Sequence, residues 1–306
     1  MKLPKRVTLM DVSPRDGLQS EPVFVPTQKK VELIDALAAA GVRRIEATSF
    51  VSPEWVPQMA DAEAVLQAVV ERHPDVVFAV LLPNEKGYDR VIATGLVRET
   101  GFIVAATESL NAKNVNMSVA DSMNQFAAIA ARARADGIAI RGTIGVSFVC
   151  PYEGKVPRER VIALVDRLYE AGADEVAIAD TIGWALPNEV YDLFSAVRDR
   201  WPDKPLAGHF HDTYRMALTN IFAAMQAGAD IFDSAAGNLG GCQFARGATG
   251  NVATERVVDM LEGMGIETGI DPDRIAKAGL WAKGLLSRAE TEEGALPFRT
   301  GPARAG

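Results

Sequence analysis

The sequence predicts an α/β protein, a (β/α)8 barrel with a short C-terminal helical extension. Eight short runs rich in Val and Ile alternate with longer stretches of helical periodicity along the 306 residues. Five of the helical stretches end in a Gly that leads directly into a strand, which is typical of repeated strand–helix units. An open doubly wound sheet is the alternative, but S-P-R-D-G follows the first strand where a glycine-rich dinucleotide turn is usual, and this favours the closed barrel.

The eight predicted strands include several that are apolar throughout, as expected for strands buried on both faces. In chain order they cover Val7–Val12, Arg44–Thr48, Val76–Leu82, Thr100–Ala106, Ile138–Val146, Glu175–Ala179, Leu206–Phe210 and Ile231–Ala235. Thr27–Ala40 is a helix of the expected kind, because its apolar residues recur at helical spacing before Gly41. We expect residues 1–270 to form the barrel, and residues 271–306 to form a C-terminal helix and flexible tail within the same domain.

Composition narrows the possible partners and compartment. The chain is 48% hydrophobic with a net charge of -8, so nucleic acid and anionic membranes are not expected as partners. No apolar run reaches the roughly 18 residues that a membrane-spanning helix needs. No signal peptide is visible, and only two cysteines are present. Together these features predict a cytoplasmic protein without a disulfide framework.

Barrel enzymes carry their functional groups at the carboxyl ends of the strands and in the loops that follow. His209 and His211 close the seventh predicted strand, and residues two apart on a strand point to the same side. We therefore expect both imidazoles to face one point in the barrel mouth as a chelating pair. Two unrelated histidines near a strand end would give the same pattern.

Arg15 and Asp16 follow the first strand. Pro, Asp and Gly in S-P-R-D-G also suit an ordinary turn, which is the simpler interpretation. The functional interpretation is a carboxylate that joins the two histidines on a divalent ion, beside a guanidinium for a substrate oxyanion. Strands one and seven lie two apart on the ring of a closed barrel, so these groups can meet.

Two further carboxylates occupy unusual positions. Glu46 lies inside an apolar strand, where a buried carboxylate is rare without a partner. Arg15 is the expected partner, and bracing Arg15 is a sufficient function for Glu46. Asp180 ends the sixth strand, where it can cap the following helix or face the mouth; the sequence favours neither.

A glycine-rich stretch, residues 237–250, follows the eighth strand and contains Cys242. Such a stretch can form a mobile lid or an anion cradle. A cysteine in a flexible loop is more plausibly reactive than structural, so Cys242 is a candidate catalytic residue. Cys150, at the end of the fifth strand, is interpreted as structural.

These motifs together resemble the 3-hydroxy-3-methylglutaryl-CoA lyase family, from about Val7 to about Gly269. The stretches that carry the resemblance are S-P-R-D-G-L-Q-S-E (13–21), I-E-A-T-S-F-V-S-P-E-W-V-P-Q-M (45–59), K-N-V-N-M-S (113–118), C-P-Y-E-G-K (150–155), D-T-I-G (180–183), H-F-H-D-T-Y (209–214), L-G-G-C (239–242) and G-A-T-G-N-V-A-T-E (247–255).

The resemblance implies a metal-dependent cleavage of a 3-hydroxy-3-methylglutaryl thioester of coenzyme A into acetyl-CoA and acetoacetate, as in leucine degradation. It places the metal ligands on Asp16, His209, His211 and Asn251, a set that suits Mg2+ or Mn2+. In this scheme Arg15 stabilises the thioester oxygen, Glu46 holds Arg15, and Cys242 moves a proton. We further expect an acyl-CoA substrate and a homodimer.

The sequence departs from the family beside these residues. Ala177 and Ala179 stand where the family usually has Ser and Gly, and the strand before C-P-Y-E-G-K also differs. A lyase for a related 3-hydroxy-3-alkylglutaryl-CoA or citramalyl-CoA thioester is therefore an alternative. A Claisen synthase or aldolase on the same barrel is less favoured, since such enzymes are not expected to carry L-G-G-C. A non-catalytic metal- or acyl-CoA-binding protein is opposed by the complete set of candidate residues.

Overall fold

The computed structural model describes residues 3–241 and 250–285 and contains a closed barrel of parallel strands. The strands are β1 (Thr8–Asp11), β2 (Arg44–Ser49), β3 (Val77–Leu82), β4 (Glu99–Ala105), β5 (Ala139–Gly145), a small antiparallel hairpin of β6 (Val149–Cys150) and β7 (Gly154–Lys155), then β8 (Glu175–Asp180), β9 (Leu206–Phe210) and β10 (Ile231–Ser234). All eight predicted barrel strands are confirmed. The hairpin was not predicted.

The ring closes between the first and last strands. Its order is β1-β10-β9-β8-β5-β4-β3-β2, and β1 pairs with β10 in the register Thr8↔Ile231. The carboxyl ends of all eight strands consequently open at one face of the barrel. The turn after β1 and the end of β9 lie on strands separated only by β10, as the sequence argument requires.

Helices connect the strands and cover the outside of the barrel. They are α1 (Thr27–Ala39), α2 (Ala62–Val69), α3 (Glu85–Thr94), α4 (Glu108–Val115), α5 (Val119–Asp136), α6 (Arg158–Ala171), α7 (Pro187–Arg200), α8 (Ala217–Gln226), α9 (Thr254–Gly263) and α10 (Pro272–Leu285). Among the described residues, no helix has the length and hydropathy needed to cross a bilayer. Residues 286–306, the predicted tail, lie outside the described residues.

The five predicted helix-to-strand glycines all have positive φ, from 65° at Gly95 to 108° at Gly172. This backbone region is open to Gly without the steric penalty that a Cβ brings. α10 begins after the barrel and contacts α1 and the short helical turn Ala236–Asn238 beyond β10. The helix predicted for the start of the extension is therefore present and packs on the barrel wall.

Charged side chains meet inside the barrel near the strand amino ends. Arg44 Nη2 lies 2.5 Å from Glu99 Oε1, and its Nη1 lies 2.8 Å from Glu175 Oε2. The three residues begin β2, β4 and β8, so one guanidinium joins three strands across the barrel. Burial alone would lower the pKa of Arg44, but the two carboxylates raise it and keep the guanidinium charged.

Replacing this arginine tests how strongly the ion pairs stabilise the barrel. Arg44→Met leaves Glu99 and Glu175 without their common partner, and breaking a buried pair in this way costs about 3–5 kcal/mol. Arg72→Met is the matched control, because Arg72 pairs with Asp35 on the exposed surface and such pairs contribute about 1 kcal/mol or less. Urea unfolding measures both. Equal losses in the two variants would contradict a structural function for the interior pairs.

Candidate active site

The turn after β1 positions Arg15 and Asp16. Ser13–Gly17 form one π-helical turn, closed by a hydrogen bond from Gly17 N to Val12 O. Buried Asp11 accepts hydrogen bonds from the backbone and hydroxyl of Ser13 at the start of this turn. The segment is therefore a turn, as its composition predicted, and it also presents two charged side chains at the barrel mouth.

His209 and His211 lie at the end of β9, with ring centroids 5.2 Å apart. Their ligand atoms and a carboxylate oxygen of Asp16 all lie within 4.8 Å of one another. Both histidines are buried, and Asp16 is partly exposed. The structure thus brings together the three residues that the sequence singled out for a divalent ion.

Asn251 lies beside this triad. Its Nδ2 donates to Asp16 Oδ2 at 2.7 Å and to Leu239 O at 3.2 Å, while Oδ1 is buried without a hydrogen-bond partner among the described residues. An unpaired buried amide oxygen is unfavourable unless a cation or water satisfies it. The donor set of a carboxylate, two imidazoles and an amide oxygen therefore fits a divalent cation.

Asn251 lies so close to the backbone of residues 239 and 240 that neighbouring positions have no room for a Cβ. A Cβ at Gly240, whose φ is 102°, would lie 2.8 Å from Asn251 Nδ2. A Cβ at Gly250 would lie 2.7 Å from the carbonyl oxygens of both Leu239 and Gly240. The described ends of the glycine-rich stretch are thus packed closely around the site. Cys242, the candidate proton donor, lies outside the described residues.

Arg15 is held between two carboxylates. Its Nε lies 2.6 Å and its Nη2 2.5 Å from Glu46 Oε2, while Nη1 lies 2.7 Å from Asp16 Oδ1. Arg15 and Glu46 are each only 6% exposed. Burial opposes the charged form of Arg15, but both carboxylates raise its pKa and keep the guanidinium ionised. The expected pairing of Arg15 with Glu46 is present in the structure.

Burial and charge act in opposite directions on Asp16. Burial alone would raise its pKa, but Arg15 and then the two histidines lower the pKa well below the usual range. Asp16 therefore remains an ionised oxygen donor at neutral pH. For His209, burial opposes protonation, while the nearby Asp233 and Asp16 carboxylates raise the pKa.

Asp233 and Arg141 are site residues that the sequence reasoning missed. Asp233 Oδ2 lies 3.0 Å from His209 Nδ1, and Arg141 Nη2 contacts both Asp233 oxygens at 2.9 and 3.0 Å. Burial would raise the pKa of Asp233, but Arg141 and His209 lower it to about 2. Each is a charged residue within a largely apolar strand, the same signal that identified Glu46.

Two further residues considered from the sequence, Asp180 and Cys150, have structural contacts of their own. Asp180 accepts hydrogen bonds from Trp184 N and Ala185 N, each at 2.9 Å, and stabilises the loop after β8. Because α7 begins only at Pro187, Asp180 is not its N-cap. Cys150 is buried in the β6–β7 hairpin, where Thr107 Oγ1 lies 3.1 Å from its Sγ.

Removing one imidazole tests the metal site directly. His211→Gln should lower the affinity for Mn2+ by more than the roughly 10- to 100-fold that loss of an outer-shell partner costs. His73→Gln is the control, because His73 pairs with Asp35 away from the barrel mouth. Isothermal titration calorimetry measures both constants. Unchanged Mn2+ binding by His211→Gln would exclude this site.

Comparisons with known proteins identify the family. The family model described as HMGL-like matches residues 6–280. The mitochondrial hydroxymethylglutaryl-CoA lyase of Rattus norvegicus is 44% identical over 286 residues, which cover 94% of this chain and 87% of the rat protein.

Solved structures give the same result. The hydroxymethylglutaryl-CoA lyase of Pseudomonas aeruginosa superposes with a TM-score of 0.90 at 41% identity and covers 96% of this chain and 97% of its own. The Acinetobacter baumannii enzyme, solved with coenzyme A and 3-methylmalate, has a TM-score of 0.87 at 37% identity, with coverage of 97% and 100%. With the matched family model and these identities over nearly the full length, the chain belongs to the HMGL-like family.

Proposed function

We propose that this protein cleaves 3-hydroxy-3-methylglutaryl-CoA to acetyl-CoA and acetoacetate, with Mg2+ or Mn2+ held by Asp16, His209, His211 and Asn251. One observation carries the proposal: the ligand atoms of Asp16, His209 and His211 lie within 4.8 Å of one another, and Arg15 contacts Asp16. The relatives named hydroxymethylglutaryl-CoA lyases, and the one solved with coenzyme A, support an acyl-CoA substrate.

The reaction breaks the bond between C2 and C3 of the acyl group. The C3 hydroxyl must lose its proton as the electron pair of the bond passes to C2, which releases acetoacetate. C2 then takes up a proton and becomes the methyl group of acetyl-CoA. A bound divalent cation supplies a Lewis acid that lowers the hydroxyl pKa and orients the substrate.

We assign to Arg15 the stabilisation of the negative charge that develops on the thioester oxygen. Its guanidinium is fixed by Glu46 and Asp16, so it needs no reorganisation during the reaction, and such preorganised charges are effective catalysts. Glu46 holds Arg15 in place. Cys242 is proposed to deliver the proton to C2, and Asp180 to shape the loop after β8 at the same face.

A second candidate substrate class is favoured by one observation. Ala177 and Ala179 lie on the same face of β8 as Glu175, and Glu175 points into the barrel toward Arg44 and Arg141. The interior face of β8 below the mouth is therefore built from small methyl groups. A related 3-hydroxy-3-alkylglutaryl-CoA or citramalyl-CoA thioester is the alternative substrate.

We propose that the protein acts in the cytoplasm in leucine degradation, as a homodimer. Its acidic net charge of -8 and its two cysteines support a reducing compartment without nucleic-acid partners. The rat relative is a mitochondrial protein, and that location is a property of the rat protein alone.

The activity is tested by acetyl-CoA release from 3-hydroxy-3-methylglutaryl-CoA with Mn2+ or Mg2+, and again after chelation. We expect release that depends on the cation, with a higher kcat/KM than for 3-hydroxy-3-alkylglutaryl-CoA or citramalyl-CoA analogues. A preference for an analogue would instead support the second candidate. No turnover of any of these thioesters by folded, cation-loaded protein would refute both.

The function of Arg15 is tested by Arg15→Gln, which removes the charge and keeps a polar side chain. We expect kcat to fall by about 100- to 1,000-fold, the usual effect of losing one preorganised oxyanion donor. Arg132→Gln is the control, because Arg132 pairs with Asp89 on the outer surface. Steady-state kinetics measure both variants. An unchanged kcat in Arg15→Gln would refute the assignment.

A further inference from the structure

The imidazole of His209 has two distinct neighbours. On the side of the candidate metal site, a ligand atom of His209 lies within 4.8 Å of a carboxylate oxygen of Asp16. On the other side, His209 Nδ1 lies 3.0 Å from Asp233 Oδ2. Asp233 is 4% exposed and lies on β10, next to His209 in the ladder register. One ring nitrogen is therefore occupied by a buried protein carboxylate, which leaves Nε2 as the available ligand atom.

Arg141 binds the carboxylate of Asp233 and fixes its orientation. Arg141 Nη2 lies 2.9 Å from Oδ1 and 3.0 Å from Oδ2, so the oxygen that faces His209 is also bound by the guanidinium. Arg141 Nε in turn lies 2.9 Å from Glu175 Oε1. The carboxylate has no freedom to rotate away without breaking these contacts in a closed interior.

This arrangement determines where the imidazole carries its proton. An ionised carboxylate only accepts hydrogen bonds, so the Nδ1 that faces it must donate. A neutral imidazole has a single N–H, and placing it on Nδ1 leaves the Nε2 lone pair free for a cation. The partner of the second nitrogen is known to orient metal-bound histidines and to strengthen their basicity.

We propose that Asp233 is a positioning residue, clamped by Arg141, that holds His209 as its Nδ1–H tautomer and so prepares Nε2 to bind the divalent cation. This inference rests on the proposed metal site. The simpler interpretation is that Asp233 only neutralises Arg141. The two differ, because a purely structural Asp233 would affect stability without affecting the tautomer or the affinity for the cation.

The unaltered protein tests the tautomer. The chain has three histidines, so a long-range 1H–15N spectrum of histidine-labelled, Mg2+-loaded protein contains few signals to assign. We expect His209 to show a protonated Nδ1 and an unprotonated Nε2. A protonated Nε2 on His209 would overturn the proposal, and this result requires no variant to fold.

The contribution of Asp233 to cation affinity is tested with Asp233→Asn, which keeps the shape of the side chain but replaces one acceptor oxygen with a donor. We expect the Kd for Mn2+ to rise by about 10- to 100-fold, measured by calorimetry, the range found for outer-shell partners. Asp233→Glu retains the acceptor and should recover part of the affinity. Arg141→Gln, which releases the clamp, should weaken binding in the same direction.

Glu99→Gln is the matched control, because it removes one carboxylate from the same interior network. The carboxylate of Glu99 pairs with Arg44, away from His209. We expect this variant to lose stability while its Mn2+ affinity stays within about twofold, as for independent sites. Parent-like Mn2+ affinity in Asp233→Asn would overturn the proposal alone. Failure of the parent protein to bind Mn2+ would instead refute the metal site, and the proposal with it.

Discussion

Charges enclosed by the barrel must be paired, and this constraint connects the fold to the site. An unpaired charge in such an interior is strongly destabilising, since neither water nor a flexible surface can compensate it. Arg44 meets this requirement by joining the starts of β4 and β8, and Arg141 meets it by joining β8 to β10. Because Asp233 also contacts His209, ion pairs that link the strands reach the candidate metal site.

A further buried carboxylate, Asp11 at the end of β1, is held by hydrogen bonds from neighbouring segments. Asp11 accepts hydrogen bonds from Ser13, from Ala236 N at 3.1 Å and from Thr254 Oγ1 at 2.7 Å. These donors belong to the turn that carries Arg15, to the short helical turn Ala236–Asn238 and to the residues after Asn251. One carboxylate thus fixes the turn after β1 against two segments that lie more than 200 positions later in the sequence.

Sequence reasoning predicted what depends on local pattern. Apolar runs identified all eight strands, helix-ending glycines identified the junctions, and the spacing of His209 and His211 indicated a shared direction. The sequence did not predict which charged residues meet across the barrel. Arg141 and Asp233 are 92 positions apart, and only ring closure sets the distance between them. Asn251 came from family resemblance, since an Asn in a glycine-rich stretch has no distinctive local pattern.

The charge balance of the interior connects these observations to the proposed cation. In the described part of the chain, the ion-paired groups in and at the mouth of the barrel include the guanidiniums of Arg15, Arg44 and Arg141 and the carboxylates of Asp16, Glu46, Glu99, Glu175 and Asp233. The carboxylates outnumber the guanidiniums in this set, so the paired groups do not fully cancel one another's charge. A cation between Asp16, His209 and His211 would add positive charge at the place where Asn251 Oδ1 has no partner among the described residues. Excess negative charge in a low-dielectric interior favours a cation at this place, so the same electrostatics that constrain the barrel also support the proposed site.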